Sequence, residues 1–567
     1  MEKLKKHNKA RVGELPLLHS IANRFDLRDL LDEYIPQQRK EEIPPADALM
    51  LLIYNFAKGR CPLYELEQWI QSLDFKCIGY DESTKSKFND DRFGVVLDRL
   101  FSVDRSTLMT TIVLHMVKKF NIDLSQMHND STTIKAFGDY SEETKTKTGV
   151  SLEKGHSKDH RPDLKQLLFT LTISADGAVP VHHKVYSGNR TDDTTHIETW
   201  NMLEQIHGNP NFLYIADCKL CTSEQLNHIV DIKKGKVITV IPETWGEVGR
   251  FKRELRERAK SKTEILRTRN ERDEVKQYFY EYDGIYMTDK KGYRIHWIYS
   301  TEKALRDKES RAGRLSKAEE KLKELLPRLN KRSMRGKESI DKACKEILKH
   351  YDVLDFITLT IEETKELHKK QKTAGRPGKN TEYENEEENI CTLSFSRNKK
   401  ILKSEERVDG VFPLLSSDST LSAKEVLIAY KQQPRLEKRF SQFKSIHKAA
   451  PLLCKKVERI EAIMFVLFLA LMLQALLERE VRQKMKAREL AALAVYPENR
   501  DATHPTTAKI FDLFQEVFSY SITQGNDLIE DYTDDLSPIQ NSILDLLGIL
   551  PEVYWDYNFS ELTSPLK

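Results

Sequence analysis

The chain has 567 residues, 39% hydrophobic and 32% charged, with 91 Lys and Arg against 88 Asp and Glu and a net charge of +3. That length exceeds what one core serves and predicts three or four folding units of roughly 100–200 residues. The apolar fraction excludes a disordered chain, and the near-neutral total means that any attraction to nucleic acid comes from local basic faces.

The opening residues, MEKLKKHNKARVGELPLLHS, carry lysines without the apolar stretch of a secretory signal, so a reducing cytosol is expected for the seven cysteines at 61, 77, 218, 221, 344, 391 and 454. Residues 1–120 show apolar positions at helical spacing, such as Leu49, Leu52 and Phe56, then Val96, Leu97 and Leu100, and read as a helical N-terminal domain with a possible DNA-binding role. From about 121 the period changes. IDLSQMHND, LLFTLTI (167–173) and VPVHHKVY (179–186) read as strands, 194–206 as a helix, FLYIAD (212–217) as a strand, 223–233 as a helix and VITVIP (237–242) as a strand. This order predicts a mixed α/β sheet over 121–242, and it is also the order of a ribonuclease-H-like core.

Residues 243–421 read as an insertion. Between Glu302 and Lys349 there are 16 Lys and Arg against 9 Asp and Glu, a balance of +7 on a helical pattern. Leu315, Ala318, Leu322, Leu325 and Leu329 fit heptad spacing, with Pro327 expected to kink the helix. A solvated helical hairpin and a basic helix along DNA phosphates both suit this segment. Residues 370–389 read as an exposed polar loop with an AT-hook-like GRP, and ICTLSF (390–395) and VFPLL (411–415) as short strands. Residues 422–485 return to the core, and 486–567 read as a helical C-terminal region. The longest apolar run, Ala462 to Leu473 with an extension to Leu477, is shorter than the ~20 residues of a bilayer span and is expected to be a buried core helix.

Three carboxylates stand out by context. Asp130 follows a strand-like run in HNDSTT, Asp217 ends FLYIAD, and Glu437 begins a helical stretch. Each aspartate alone reads as a turn or cap residue. Together, at the ends of neighbouring strands with a third acid from a helix across them, they would converge at one sheet edge, where hard oxygen ligands suit a pair of Mg2+ or Mn2+ ions. GHSKDHRPDLKQ (155–166) lies between the aspartates. His156 and His160 have zinc-pair spacing, but Gly155 and Pro162 oppose a helix there; Lys158, His160, Arg161 and Lys165 read instead as phosphate-facing donors, with Arg190 of SGNRTDD near the same edge. Cys218 and Cys221 form a CxxC without a second ligand pair, so they read as small packing residues beside Asp217.

HNDSTT, GHSKDHRPDLKQ, SGNRTD, IADCKLCTSEQL, VDGVFPLLSSD and YKQQPRLEKRFSQFK followed by VERIEA occur in the order seen in the DDE transposases of bacterial insertion sequences, in the IS-four superfamily, and the chain resembles that family over most of its length. The resemblance implies that Asp130, Asp217 and Glu437 hold two metal ions. It further implies a cytoplasmic, nucleoid-associated enzyme that cleaves the terminal inverted repeats of its element and joins them to target DNA as a homodimer. A ribonuclease-H-like nuclease or resolvase and a non-catalytic DNA-binding descendant are the alternatives. The family signature around the glutamate is met by Tyr430 and Lys444, seven residues before and after it, while its Arg position is Gln433. On a continuous helix Glu437 and Lys444 share a face and Arg435 points away; Pro434 places Tyr430 ahead of that helix. Trp245, at the start of the insertion, is the candidate for stacking on a flipped base, with Trp297 competing for the role.

Overall fold

In the computed structural model, which describes residues 5–59, 61–136, 146, 148–155, 164–269, 274–331, 334–372, 377–378, 382–446, 456–496, 498, 500–524 and 527–556, the chain divides into two units. Met1–Thr239 and Ile428–Lys567 form the first, and Val240–Leu427 the second. It is a multidomain α/β protein.

The first unit begins with β1 (Lys5–Arg11) and six helices: α1 (Leu15–Asn23), α2 (Leu27–Tyr34), α3 (Pro45–Lys58), α4 (Leu66–Gln71), α5 (Asp90–Ser102) and α6 (Arg105–Phe120). Their starts are local chemistry. Prolines occupy the first turns of α1 and α3, where a missing N–H costs nothing, and Asn89 and Asp104 cap α5 and α6 by accepting backbone N–H bonds. Next come β2 (Gln126–Lys135), β3 (Gln166–Ser174), β4 (Pro180–Ser187), α7 (His196–His207), β5 (Leu213–Ile215), α8 (Ser223–Leu226) with a π-helical turn Asn227–Ile232, and β6 (Lys236–Val240). They follow the order expected over this stretch, but the first strand, read as IDLSQMHND (122–130), is shifted to Gln126–Lys135, so Asp130, expected at its end, stands in its middle. The strand order is β4-β3-β2-β5-β6, antiparallel from β4 to β2 and parallel from β2 through β6.

The second unit contains α9 (Gly246–Glu257), β7 (Lys262–Arg269), β8 (Val275–Tyr282), β9 (Tyr286–Met287), β10 (Arg294–Ser300), α10 (Thr301–Leu325), α11 (Lys337–His350), β11 (Ile357–Gln371), β12 (Tyr383–Arg397), α12 (Lys399–Glu405) and β13 (Val411–Ser416). Strands β13, β10, β8 and β7 form an antiparallel sheet. The heptad residues Leu315, Ala318, Leu322 and Leu325 are buried against Ile340, Cys344 and Leu348, so the basic segment is a helical hairpin with its own core. Pro327 does not kink α10. It falls in the short turn Leu326–Arg328 just past the helix end, where its missing N–H breaks no α-helical bond. Part of the segment expected as a loop at 370–389 is instead strand, residues 370–371 and 383–389: β11 and β12 pair over fifteen residues from Ile357↔Arg397 to Gln371↔Tyr383. Opposed charges on facing strands, not apolar alternation, support this ribbon, which is why its pattern reads as polar loop.

The chain returns through α13 (Ala423–Tyr430), α14 (Gln433–Ser441), a π-helical turn Gln442–Ile446, α15 (Val457–Ala487), α16 (Thr507–Phe514), β14 (Phe518–Gln524), β15 (Asp527–Thr533) and α17 (Pro538–Leu547). The apolar run lies within α15, and all of it is buried inside the protein. Neither chain end is purely helical, as composition had suggested. β14 pairs with both β1 and β15, and β1, with the polar sequence KKHNKAR, is a strand because β14 offers it an edge.

Candidate active site

Asp130 stands in the middle of β2, opposite Leu171 of β3, and is half-buried. β5 runs parallel to β2 with His128 level with Ile215, and Asp217 follows two residues past the end of β5. Asp130, its partner Leu171 and, two residues along β3, Phe169 leave one face of the sheet, since paired and alternate strand residues share a side. Asp217 caps the 3-10 turn Cys218–Leu220: its carboxylate accepts from the Lys219 N–H at 3.0 Å, and its carbonyl accepts from the Thr239 hydroxyl of β6 at 2.6 Å.

Glu437 comes from α14, which packs on that same face. Leu436 and Phe440 are buried beneath the helix, and Phe443 of the following turn stacks on Phe169 of β3 with centroids 4.5 Å apart. Gln433, 8% exposed, accepts from His128 Nδ1 at 3.0 Å and donates to the Asn129 carbonyl at 3.2 Å. On one flank Arg435 reaches the Ala175 carbonyl at 3.1 Å and Arg439 the carbonyls of Ala178 and Gly177 at 3.0 and 3.1 Å. Two residues turn ~200° around an α-helix, so Glu437, between those arginines in sequence, emerges on the opposite flank. It is exposed there.

Tyr430, at the end of α13, ties the three acids together. Its phenol is pushed up to about 12, first by burial and then by the negative charges of Asp217, Cys218, Asp130 and Glu437. It therefore stays protonated at physiological pH, as a neutral donor within the field of all three carboxylates. His128, behind Asp130 on the same strand, is lowered to about 4 by burial and stays neutral. Among the described residues no three His, Cys, Asp or Glu side chains are gathered closely enough to hold an ion between them.

The other expected residues are distributed unevenly. Lys158, His160 and Arg161 lie outside the described residues. The Lys165 carbonyl accepts from Ala136, six residues along the β2 strand from Asp130. Arg190 is exposed, lies 4.5 Å from the Tyr186 ring and donates to Thr194. It follows Ser187, which faces Leu167 and through it Ile134, four rungs or ~13 Å along the sheet from Asp130. Lys165 lies along the sheet from Asp130, while Thr194, the partner of Arg190, is in the turn Asp192–Thr194, which touches the turn Cys218–Leu220 capped by Asp217. Lys444 is half-buried, but α14 ends at Ser441 and Lys444 lies on the π-helical turn, so the expectation that it and Glu437 share one continuous α-helical face is corrected. The wider winding changes the direction of every residue after Gln442. Pro434 does fall in the first turn of α14, with Tyr430 ahead of it. Trp245 is half-buried at the N-cap of α9 in the second unit. Trp297 is 1% exposed and stacked on Phe251 at 3.9 Å, which makes it a core residue and removes it from competition for a base. The roles of His128 and Gln433 were not legible in the sequence, where Gln433 is only a departure from a pattern.

Comparison with known proteins adds little to this geometry. A family model described as a domain of unknown function, DUF4277, matches residues 7–114, on the helical N-terminal part. No curated protein matches the chain. Among solved structures, a cryo-EM structure of a piggyBac transposase synaptic complex with hairpin DNA is similar over 83% of this chain and 77% of that chain, at 6% identity and a TM-score of 0.37. At that level the chemistry of this chain has to be argued from its own residues.

Proposed function

We propose that the chain is a DNA transposase of the DDE type, which hydrolyses the phosphodiester at the ends of its own element and joins the freed 3′-OH to target DNA. The observation that supports this reading is the placement of Asp130 on β2 and of Asp217 two residues past the end of its parallel neighbour β5, with α14, which bears Glu437, held against β2 through Gln433. The strand order, three antiparallel strands followed by two parallel to the first, is the one expected of a ribonuclease-H-like core and supports the same reading.

The donor set suits Mg2+ or Mn2+: three carboxylates supply oxygen ligands. When bound, a pair of such ions activates water and stabilises the leaving oxygen of a phosphodiester. Asp130 and Asp217 are the fixed ligands, since each is set by a strand or a capped turn. Glu437, exposed and on a helix flank, is the ligand with room to adjust. Tyr430, held neutral, can donate to a phosphate oxygen beside the acids, where an ionised phenol would repel it. Affinity for the duplex would come from basic residues elsewhere, including those of α10 and α11, and Trp245 is the candidate for stacking on an unpaired base.

The test is cleavage, with Mg2+, of a duplex carrying the inverted repeats that flank the gene. Asp130→Asn, Asp217→Asn and Glu437→Gln should each lower the cleavage rate by at least about 1000-fold, while duplex binding stays near normal. Wild-type cleavage by any one variant removes that residue from the triad, and an inactive wild type with its own ends defeats the reading.

A further inference from the structure

Glu437 is exposed on a helix of nine residues, and no packing of its own side chain sets its position. What sets it is found four residues earlier. Gln433 lies ~40° from Glu437 around the helix axis and one turn before it, so the rotation of α14 that seats Gln433 also aims Glu437. Gln433 is buried against β2, and each of its bonds has a forced direction. Its amide nitrogen donates to the Asn129 carbonyl, which can only accept. Its amide oxygen therefore faces His128 and must receive the proton on Nδ1. That leaves His128 Nε2 with a lone pair, which accepts from the Gln126 amide at 2.9 Å. The Asn129 side chain is in turn held by the Thr172 hydroxyl of β3 at 2.9 Å. One tautomer and one pair of amide orientations satisfy every partner of this run. It passes through the residue before Asp130 and ends on the helix that bears Glu437.

We infer that His128 and Gln433 are positioning residues, a neutral hydrogen-bonded clamp that fixes the rotation of α14 and so the placement of Glu437 relative to Asp130. This rests on the reading of the three carboxylates as a metal-dependent site. The clamp touches neither substrate nor metal and acts only through Glu437. Burial is what makes it specific, because a slipped helix would leave the His128 N–H and the Asn129 carbonyl without partners in the interior.

The experiment measures Mn2+ binding to the full-length protein by calorimetry, beside end cleavage, duplex affinity and thermal unfolding. Gln433→Leu and His128→Leu should each weaken Mn2+ binding about 10–100-fold, as loss of outer-shell support does, and lower kcat with duplex affinity unchanged. The double variant should be no worse than the worse single one, because the two act as one unit. His128→Asn, whose amide nitrogen falls where Nδ1 was, should recover most of the Mn2+ affinity and so separates positioning from folding. Wild-type Mn2+ affinity in Gln433→Leu, losses that simply add in the double variant, or no recovery in a folded His128→Asn protein would overturn the clamp. Should the wild type itself bind no Mn2+ that Asp130→Asn abolishes, the functional reading fails, and the clamp with it.

Discussion

Charge is held in two opposite ways around α14 of the first unit and along the β11–β12 ribbon of the second. Around α14 in the first unit, Arg439 is buried and bonded to the carbonyls of Gly177 and Ala178 and to Glu478 at 3.1 Å, and Glu478 also accepts from the Thr507 N–H. In the second unit, the outer part of the β11–β12 ribbon is exposed on both strands, and Lys365–Glu387 and Lys372–Glu382 pair across it at 2.9 Å in open solvent. A charge fixed by burial and several partners has one position. A charge paired in water has many. The difference teaches that the candidate chemistry belongs where neighbours dictate placement, and that the ribbon's charges serve solubility and strand pairing.

The largest expected effect comes from breaking the buried arrangement. Arg439→Met keeps the aliphatic stem but takes from buried Glu478 one of its two arginine partners, leaving Arg482 at 3.4 Å and the Thr507 N–H. The loss should approach from below the cost of breaking a buried pair, about 3–5 kcal/mol. Chemical unfolding followed by tryptophan fluorescence should show the midpoint fall accordingly. The loss should be partly relieved by Glu478→Gln in the same chain, which removes the buried charge that Arg439 had balanced. A midpoint within experimental error of wild type would mean that α14 is not anchored as the geometry has it.

A second effect depends on pH. His19, His128, His182 and His196 are lowered to about 4 and His183 well below its usual value, in each case chiefly by burial, and all five belong to the first unit. Below pH 6.5 the unfolded chain takes up protons at these rings while the folded chain does not, so the unfolded state binds more protons and stability falls with falling pH. The loss should begin near 6.5 and continue toward 4. Differential scanning calorimetry from pH 7.5 to 5 should show the transition of the first unit dropping steeply, and a transition that holds or rises would contradict the burial of these rings.

What was legible in the sequence follows the same division. β3 to β6 could be read because buried strands are short apolar runs, and α10 because its leucines keep heptad spacing; β2, QMHNDSTTIK, is polar and was read four residues too early. Asp130 and Asp217 could be read because each ends or interrupts such a run. Gln433 and His128 could not, since a hydrogen-bonded clamp joins residues 305 positions apart and neither has a local signature. ICTLSF (390–395), the apolar end of β12, was read as a strand, but β1 and the outer part of the ribbon were missed for another reason. Their strand character comes from a partner strand across which polar and charged side chains pair, and a rule that reads apolar alternation passes over them. Lys444 was misplaced because the change from α- to π-winding at Gln442 is a packing event under Phe443, invisible to a fixed helical period.

The smallest expected effect is on the ribbon. Lys365 and Glu387 are 70% and 59% exposed, and Lys372 and Glu382 are 49% and 76% exposed, so water screens both pairs and their side chains give up rotational freedom to meet. Lys365→Ala and Lys372→Ala, alone or together, should move the thermal midpoint by no more than about a degree at moderate salt. The ribbon itself should persist, because fifteen paired residues and the packing of Ile357 and Cys391 against α10 and α11 hold its base. Raising salt to about 1 M shortens the screening length to about 3 Å, so it should erase even that small difference and leave the Arg439→Met deficit nearly intact. A ribbon variant as damaging as Arg439→Met, or a deficit at Arg439 that salt removes, would break the contrast between placed and solvated charge.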